Sequence, residues 1–217
     1  DYERLVRLWR KEADTKKYVL MKSNRRYVDR NLFLTIRDRR TTLIKPYQKD
    51  LNICHGVALD VLPLDGYPDS KWARKKQVAW ALIYSLYCAQ TVPENHGRLM
   101  ALGSRIALAL APSARIWKFA EKQMTKYPIE TCHYITELCS GPGYMKKRYP
   151  KEAFDSAVYM PFEGYSMPIP VGYDAYLREA FGDYMTLPPK EKQVAHHDAL
   201  LLDLEHSYRR YKGKYYC

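Results

Sequence analysis

Apolar residues cluster most densely in His55 to Pro68, HGVALDVLPLDGYP. There Val57, Leu59, Val61 and Leu62, with small Ala58 between them, predict a largely buried strand that ends at Pro63 and the Asp65-Gly66 turn signal. Upstream, Leu5, Val6, Leu8 and Trp9 recur among Arg and Lys over Tyr2 to Lys17 in the pattern of an amphipathic helix with one buried face. Short strands are predicted at Tyr18–Met21, Leu32–Ile36 and Thr41–Ile44, the last interrupted by Lys45-Pro46. Their connections are too short for helical crossovers, so the four strands form a small sheet, mixed or antiparallel.

Downstream the period changes from two to 3.6. Ser70–Gln90, capped by Asp69 or Ser70, reads as a helix that is basic early and apolar late, and Arg98–Lys126 is helical except at Pro112. Residues 70–127 therefore form a helical hairpin or insertion within one domain spanning 1–217. Leu99–Leu110 is apolar for roughly 12 positions, short of the ~20 that span a bilayer, which leaves a core helix or one lying on an anionic surface. Gly141-Pro142-Gly143 marks the next boundary. Phe162 to Val171 is extended and kept from a sheet centre by Pro168 and Pro170; a helix then runs from Tyr173-Asp174 to Phe181, with Gly182 as its C-cap. Leu200–Tyr211 completes the pattern as an amphipathic helix.

Composition narrows the function. The excess of 36 Lys+Arg over 24 Asp+Glu, a net charge of +12, favours polyanions such as nucleotides or anionic lipid surfaces. The 20 tyrosines are scattered and form no RNA-recognition motif, which argues against a nucleic-acid partner. The five cysteines lack a C-x-x-C pair, which argues against a zinc finger and gives no disulfide framework; Cys132, His133 and Cys139 either contribute to a metal site or, the reading favoured here, include ordinary buried or half-buried free thiols. Free thiols and the lack of an anchor point to the cytoplasm, with peripheral contact at the inner face of an anionic membrane.

Several side chains are candidates for chemistry. A carboxylate in an apolar strand is costly to bury, so Asp60 is either held by backbone amides or a nearby Arg, or it binds metal or catalyses. Asp65 is the weaker candidate because Asp-Gly turns have purely local causes. Arg37 offers a planar fork suited to phosphate, or pairs with Asp38 or Asp60. Lys45, Lys49 and Arg39-Arg40 read as solvated loop charge. Lys146, Lys147 and Arg148 form a cationic loop that either receives a phosphate or is simply hydrated. His196, His197 and Asp198 could ligate metal or move protons, but adjacent helical residues point about 100° apart. Asp203 and Glu205 diverge on a helix and are rejected as a carboxylate pair.

The stretch around Asp60 resembles the hydrophobic-D-hydrophobic-x-P-L-D segment of the LicD family of phosphotransferases, which includes phosphocholine transferases and fukutin-related enzymes. LTIRDRRTTLI (Leu34–Ile44), FEGYSMPIPVGYDAYLREAFGDYM (Phe162–Met185) and LPPKEKQVAHHD (Leu187–Asp198) match in the family's order. The resemblance implies an α/β nucleotidyltransferase-like fold, a small mixed sheet surrounded by helices. It implies transfer of a phosphorylated alcohol, such as phosphocholine, from a CDP-linked donor to a sugar hydroxyl of a cell-surface glycan, with Mg²⁺ as cofactor. Asp60 would then be a metal ligand or the base, and Arg37, Lys146, Lys147, Glu163 and Tyr173 substrate contacts, with Asp183 a further one in the closing wall. Family members carry a W-D-x-D-x-D type motif just upstream of a D-Y-x-R segment like Asp1–Arg4; it is absent here, so the chain is expected to be incomplete at its start and inactive alone. The competing expectation is a non-catalytic basic module bound at a membrane surface or glycan.

Overall fold

The structure is a computed structural model that describes residues 1–24, 28–90, 98–110, 114–194 and 198–217. Its contacts gather into two compact units, one of Asp1–Pro63, Ser85–Trp117 and Val194–Cys217, the other of Leu64–Tyr84 and Lys118–Gln193.

In the first unit, helix α1 (Tyr2–Glu12) ends where the Asp14 carboxylate accepts from the amides of Lys16 and Lys17 and turns the chain, so it stops short of the predicted Lys17. Strands β1 (Tyr18–Met21), β2 (Leu34–Asp38) and β4 (Ala58–Val61) form a sheet in the order β1-β2-β4, antiparallel at both pairings. The Tyr2 hydroxyl ties α1 to this sheet by accepting the Leu34 amide at 2.8 Å.

The third predicted strand leaves that sheet. Strand β3 (Thr42–Ile44) pairs instead with β10 (Leu201–Asp203), antiparallel, with Leu43 opposite Leu202. The helix predicted over Leu200–Tyr211 is therefore a short strand followed by a 3₁₀ turn at Tyr208–Tyr211. The physical cause is local: Asp203 accepts from the amides of Glu205 and His206 and from the His206 ring, an arrangement that competes with helical bonding. Behind these strands Met21, Ile44, Ile53, Cys54, Tyr208 and Tyr216 make one core cluster, and the His55 ring lies 4.3 Å from that of Tyr216.

The second unit holds strands β5 (Asp65–Tyr67), β6 (Tyr134–Thr136) and β7 (Tyr149–Pro150) in that order, again antiparallel. A separate hairpin, β8 (Ala157–Phe162) with β9 (Tyr165–Pro170), leads into helix α5 (Tyr173–Phe181). Gly182 ends that helix at φ +76°, as its position predicted. Ile135, Tyr149 and Ala180 form the core, with Phe154 and Tyr176 packed on it. Gly172 lets α5 start against Ala153, where a Cβ would come within 2.5 Å.

Helices α2 (Lys71–Ala89), α3 (Arg98–Leu110) and α4 (Ala114–Met124) fill the stretch predicted as a helical hairpin. Among the described residues no helix is long and apolar enough to cross a membrane. The fold class is mixed α/β, as expected, and every strand pairing among the described residues is antiparallel.

Candidate functional site

Strand register places the first unit's candidates. Across the sheet, Val19, Arg37 and Ala58 form one row and Met21, Thr35 and Asp60 the next, so these side chains share one face. β4 is an edge strand. Its predicted burial is not realised: Leu59 is 65% exposed and Asp60 is also exposed, because β4 has a neighbour on one side only.

Arg37 is 1% exposed and pairs with neither carboxylate considered for it. Its Nε donates to Thr35 Oγ1 at 3.2 Å, Nη1 to the Cys54 carbonyl at 2.6 Å and Nη2 to Gln48 Oε1 at 3.3 Å. Asp38 is held by Arg40 at 2.7 Å instead. A buried cation ringed by neutral acceptors keeps its field, and the effects reach its neighbours. Burial pushes the Lys45 ammonium down, Asp60 opposes that shift and Arg37 adds to it. Burial also pushes the Tyr47 phenol up, and the Lys45 ammonium sits 5.9 Å from the Tyr47 ring. The structure thus brings Asp60, Lys45, Tyr47 and Arg37 into one electrostatic neighbourhood. An exposed carboxylate there can accept a proton or give oxygen ligands to a cation.

The second unit distributes its candidates. Lys146 is exposed in the turn Tyr144–Lys146. The Lys147 ammonium donates to the carbonyls of Glu179 and Ala180, the latter at 2.7 Å, and so caps the end of α5. Arg148 stacks 4.7 Å from the Tyr134 ring centre. Glu163 is exposed at the tip of the β8–β9 hairpin with φ +48°, while Tyr173 opens α5 beyond the hairpin's base. The six residues of β9 put roughly 20 Å between that tip and base. Asp183 accepts from Thr186.

Among the described residues no three His, Cys, Asp or Glu groups converge to hold an ion. His196 and His197 lie outside the described residues. His133 meets exposed Asp69 at 3.0 Å, while Cys132 and Cys139 are buried free thiols.

Sequence reasoning undervalued Asp65. It is a strand residue opposite Thr136, 8% exposed, and its Oδ2 has no hydrogen-bond partner. Burial first, then Glu121, pushes its carboxyl up to about 7, against the pull of Arg74. The Asp-Gly turn signal concealed it, although the apolar run leading into Leu64 extends the strand context to its neighbour.

No family model matches the chain, and no solved structure matches it. Among curated proteins, the lipopolysaccharide cholinephosphotransferase LicD of Haemophilus influenzae is 45% identical over 73 residues. That stretch is 33% of this chain and 28% of the length of LicD, so the match covers well under two thirds of the relative. Over that third of its length, the chain is similar to LicD.

Proposed function

We propose that the chain is part of a LicD-type phosphotransferase with a nucleotidyltransferase-like core, moving a phosphorylated alcohol such as phosphocholine from a CDP-linked donor to a sugar hydroxyl of a cell-surface glycan. The similarity to LicD carries this reading. The exposure of Asp60, on a sheet face that also holds the buried Arg37, is compatible with it.

In this reading Asp60 is the base. It takes the proton of the acceptor hydroxyl as that oxygen bonds to the donor's phosphorus, and the bond from phosphorus to the departing nucleotide oxygen breaks. The cationic neighbourhood of Lys45 and Arg37 favours the charge of the donor phosphates. Mg²⁺, implied by the resemblance, would find in Asp60 one oxygen ligand. The described residues do not complete a site around it. Peripheral contact with an anionic membrane fits the net charge of +12.

The test is Asp60→Asn in a protein that carries this chain and transfers phosphocholine, with melting temperature and initial rate measured together. Asn keeps size and one acceptor oxygen but cannot take the proton. A rate loss of at least ~100-fold with unchanged melting is expected. A rate near wild type would overturn the assignment.

A further inference from the structure

The first unit contains a cavity of about 630 Å³, within the range of small-molecule sites. Its floor is apolar and aromatic, including Tyr208 and Tyr216, and its rim carries Arg39, Arg209, Lys212 and Asn52. Among the described residues no carboxylate lines it.

Arg39 and Arg40 are adjacent cations with opposite fates. Arg40 is exposed and bound to Asp38, whereas Arg39 is half-buried, lines the cavity and has its Nε buried without a hydrogen-bond partner. The Arg39 backbone is fixed on both sides: its amide donates to the Lys17 carbonyl at 2.8 Å and its carbonyl accepts the Ser207 hydroxyl at 2.7 Å. The Lys212 ammonium meets only a neutral partner, Asn52 Oδ1 at 3.1 Å, and Arg209 forms no ion pair among the described residues. Lys22 also borders the cavity but its ammonium is held by Glu3. A buried, unpaired guanidinium nitrogen is costly unless an acceptor meets it, and a fork of this kind matches phosphate oxygens.

We propose that this cavity is a binding site for a small phosphorylated molecule bearing a planar or apolar group. The phosphate lies among Arg39, Arg209 and Lys212, and the rest of the ligand packs against Tyr208 and Tyr216. Cations without carboxylates to neutralise them select the anion, and the aromatic floor selects against bare phosphate. The cavity wall includes Met21, which shares a row and a face with Asp60 two strands away, about 10 Å at ordinary strand spacing. The site stands on its own geometry and does not depend on the transferase reading.

Calorimetric titration of the purified chain with inorganic phosphate, a nucleoside monophosphate and glycerol phosphate tests it. The nucleoside monophosphate is expected to bind at least ~10-fold more tightly than inorganic phosphate. Glycerol phosphate binding as tightly as the nucleotide would assign the site to a lipid-type headgroup and overturn the ring-packing part. Arg39→Gln and, separately, exposed Lys212→Gln are each expected to weaken nucleotide binding at least ~5-fold, while Arg40→Gln, with the same charge change, leaves it unaltered. Equal weakening by all three variants would reduce the effect to overall charge and overturn the site, as would no binding of any probe at 10 mM. Asp60→Asn leaves this affinity intact, so the result is independent of turnover.

Discussion

Asp65 lies in the field of Arg74, yet Arg74 gives its hydrogen bonds to neutral acceptors. They are Gln77, Thr136 and the Met145 carbonyl, and Asp65 Oδ2 is left without a partner. Desolvation therefore outweighs attraction, and the carboxyl is pushed up to about 7.

The sign of the resulting pH dependence is fixed. A folded carboxyl that holds its proton up to about 7 retains a proton that the unfolded chain releases near pH 4, so its contribution is fully present below that point. Stability then falls as pH rises from about 4 to 7. Asp65→Asn removes the slope. The variant should be close to wild type in stability at pH 4.5 and exceed it at pH 8 by an amount on the order of 2 to 4 kcal/mol. Parallel melting curves at both pH values would refute the assignment.

Arg37 should matter for stability more than for substrate affinity. Arg37→Lys cannot reach Thr35, Gln48 and the Cys54 carbonyl together, and it leaves buried acceptors unmet. A loss of about 2 to 4 kcal/mol is expected from denaturant unfolding. An unchanged unfolding midpoint with a raised KM for the donor would instead make Arg37 a substrate contact.

Lys147→Met uncaps α5. Removing the ammonium from the Glu179 and Ala180 carbonyls should cost about 1 kcal/mol and speed amide exchange in the last turn of α5, whereas Lys146→Met should do neither. Exchange rates in that turn that match wild type would show the cap to be unimportant.

Gly56 admits no side chain. A Cβ there would stand 1.8 Å from the Asp38 carbonyl oxygen, so Gly56→Ala must push β2 from the chain entering β4. About 2 to 3 kcal/mol is expected, which lowers the melting temperature by roughly 4 to 10 °C. Wild-type melting would mean that this approach is looser than its geometry indicates.

Local signals were legible in the sequence and long-range ones were not. Tyr18–Met21 is delimited by its short apolar run between polar flanks, and α5 by its period and Gly182, because those cues lie in or beside the element itself. The β3–β10 pairing joins two three-residue strands from distant parts of the chain, and neither announces its partner. The apolar run around Asp60 reads as buried, but edge position is a property of the sheet rather than of the strand. Likewise nothing in the dipeptide Arg39-Arg40 says which guanidinium turns inward. The fork of Arg37 suggests phosphate or a carboxylate, but two of the three groups that hold it, Gln48 and the Cys54 carbonyl, lie outside its strand and carry no pattern that points to it.

The pairing of β3 with β10 has a consequence for biosynthesis. The first unit takes residues from both ends of this sequence, so on the ribosome its sheet β1-β2-β4 can assemble while Ile44 and the Cys54 region still lack Leu201, Tyr208 and Tyr216. The second unit, drawn from residues 64–84 and 118–193, is emitted whole before that gap is filled. The first unit keeps an open apolar flank until Leu201, Tyr208 and Tyr216 emerge, which makes that interval the point at which a chaperone has something to hold.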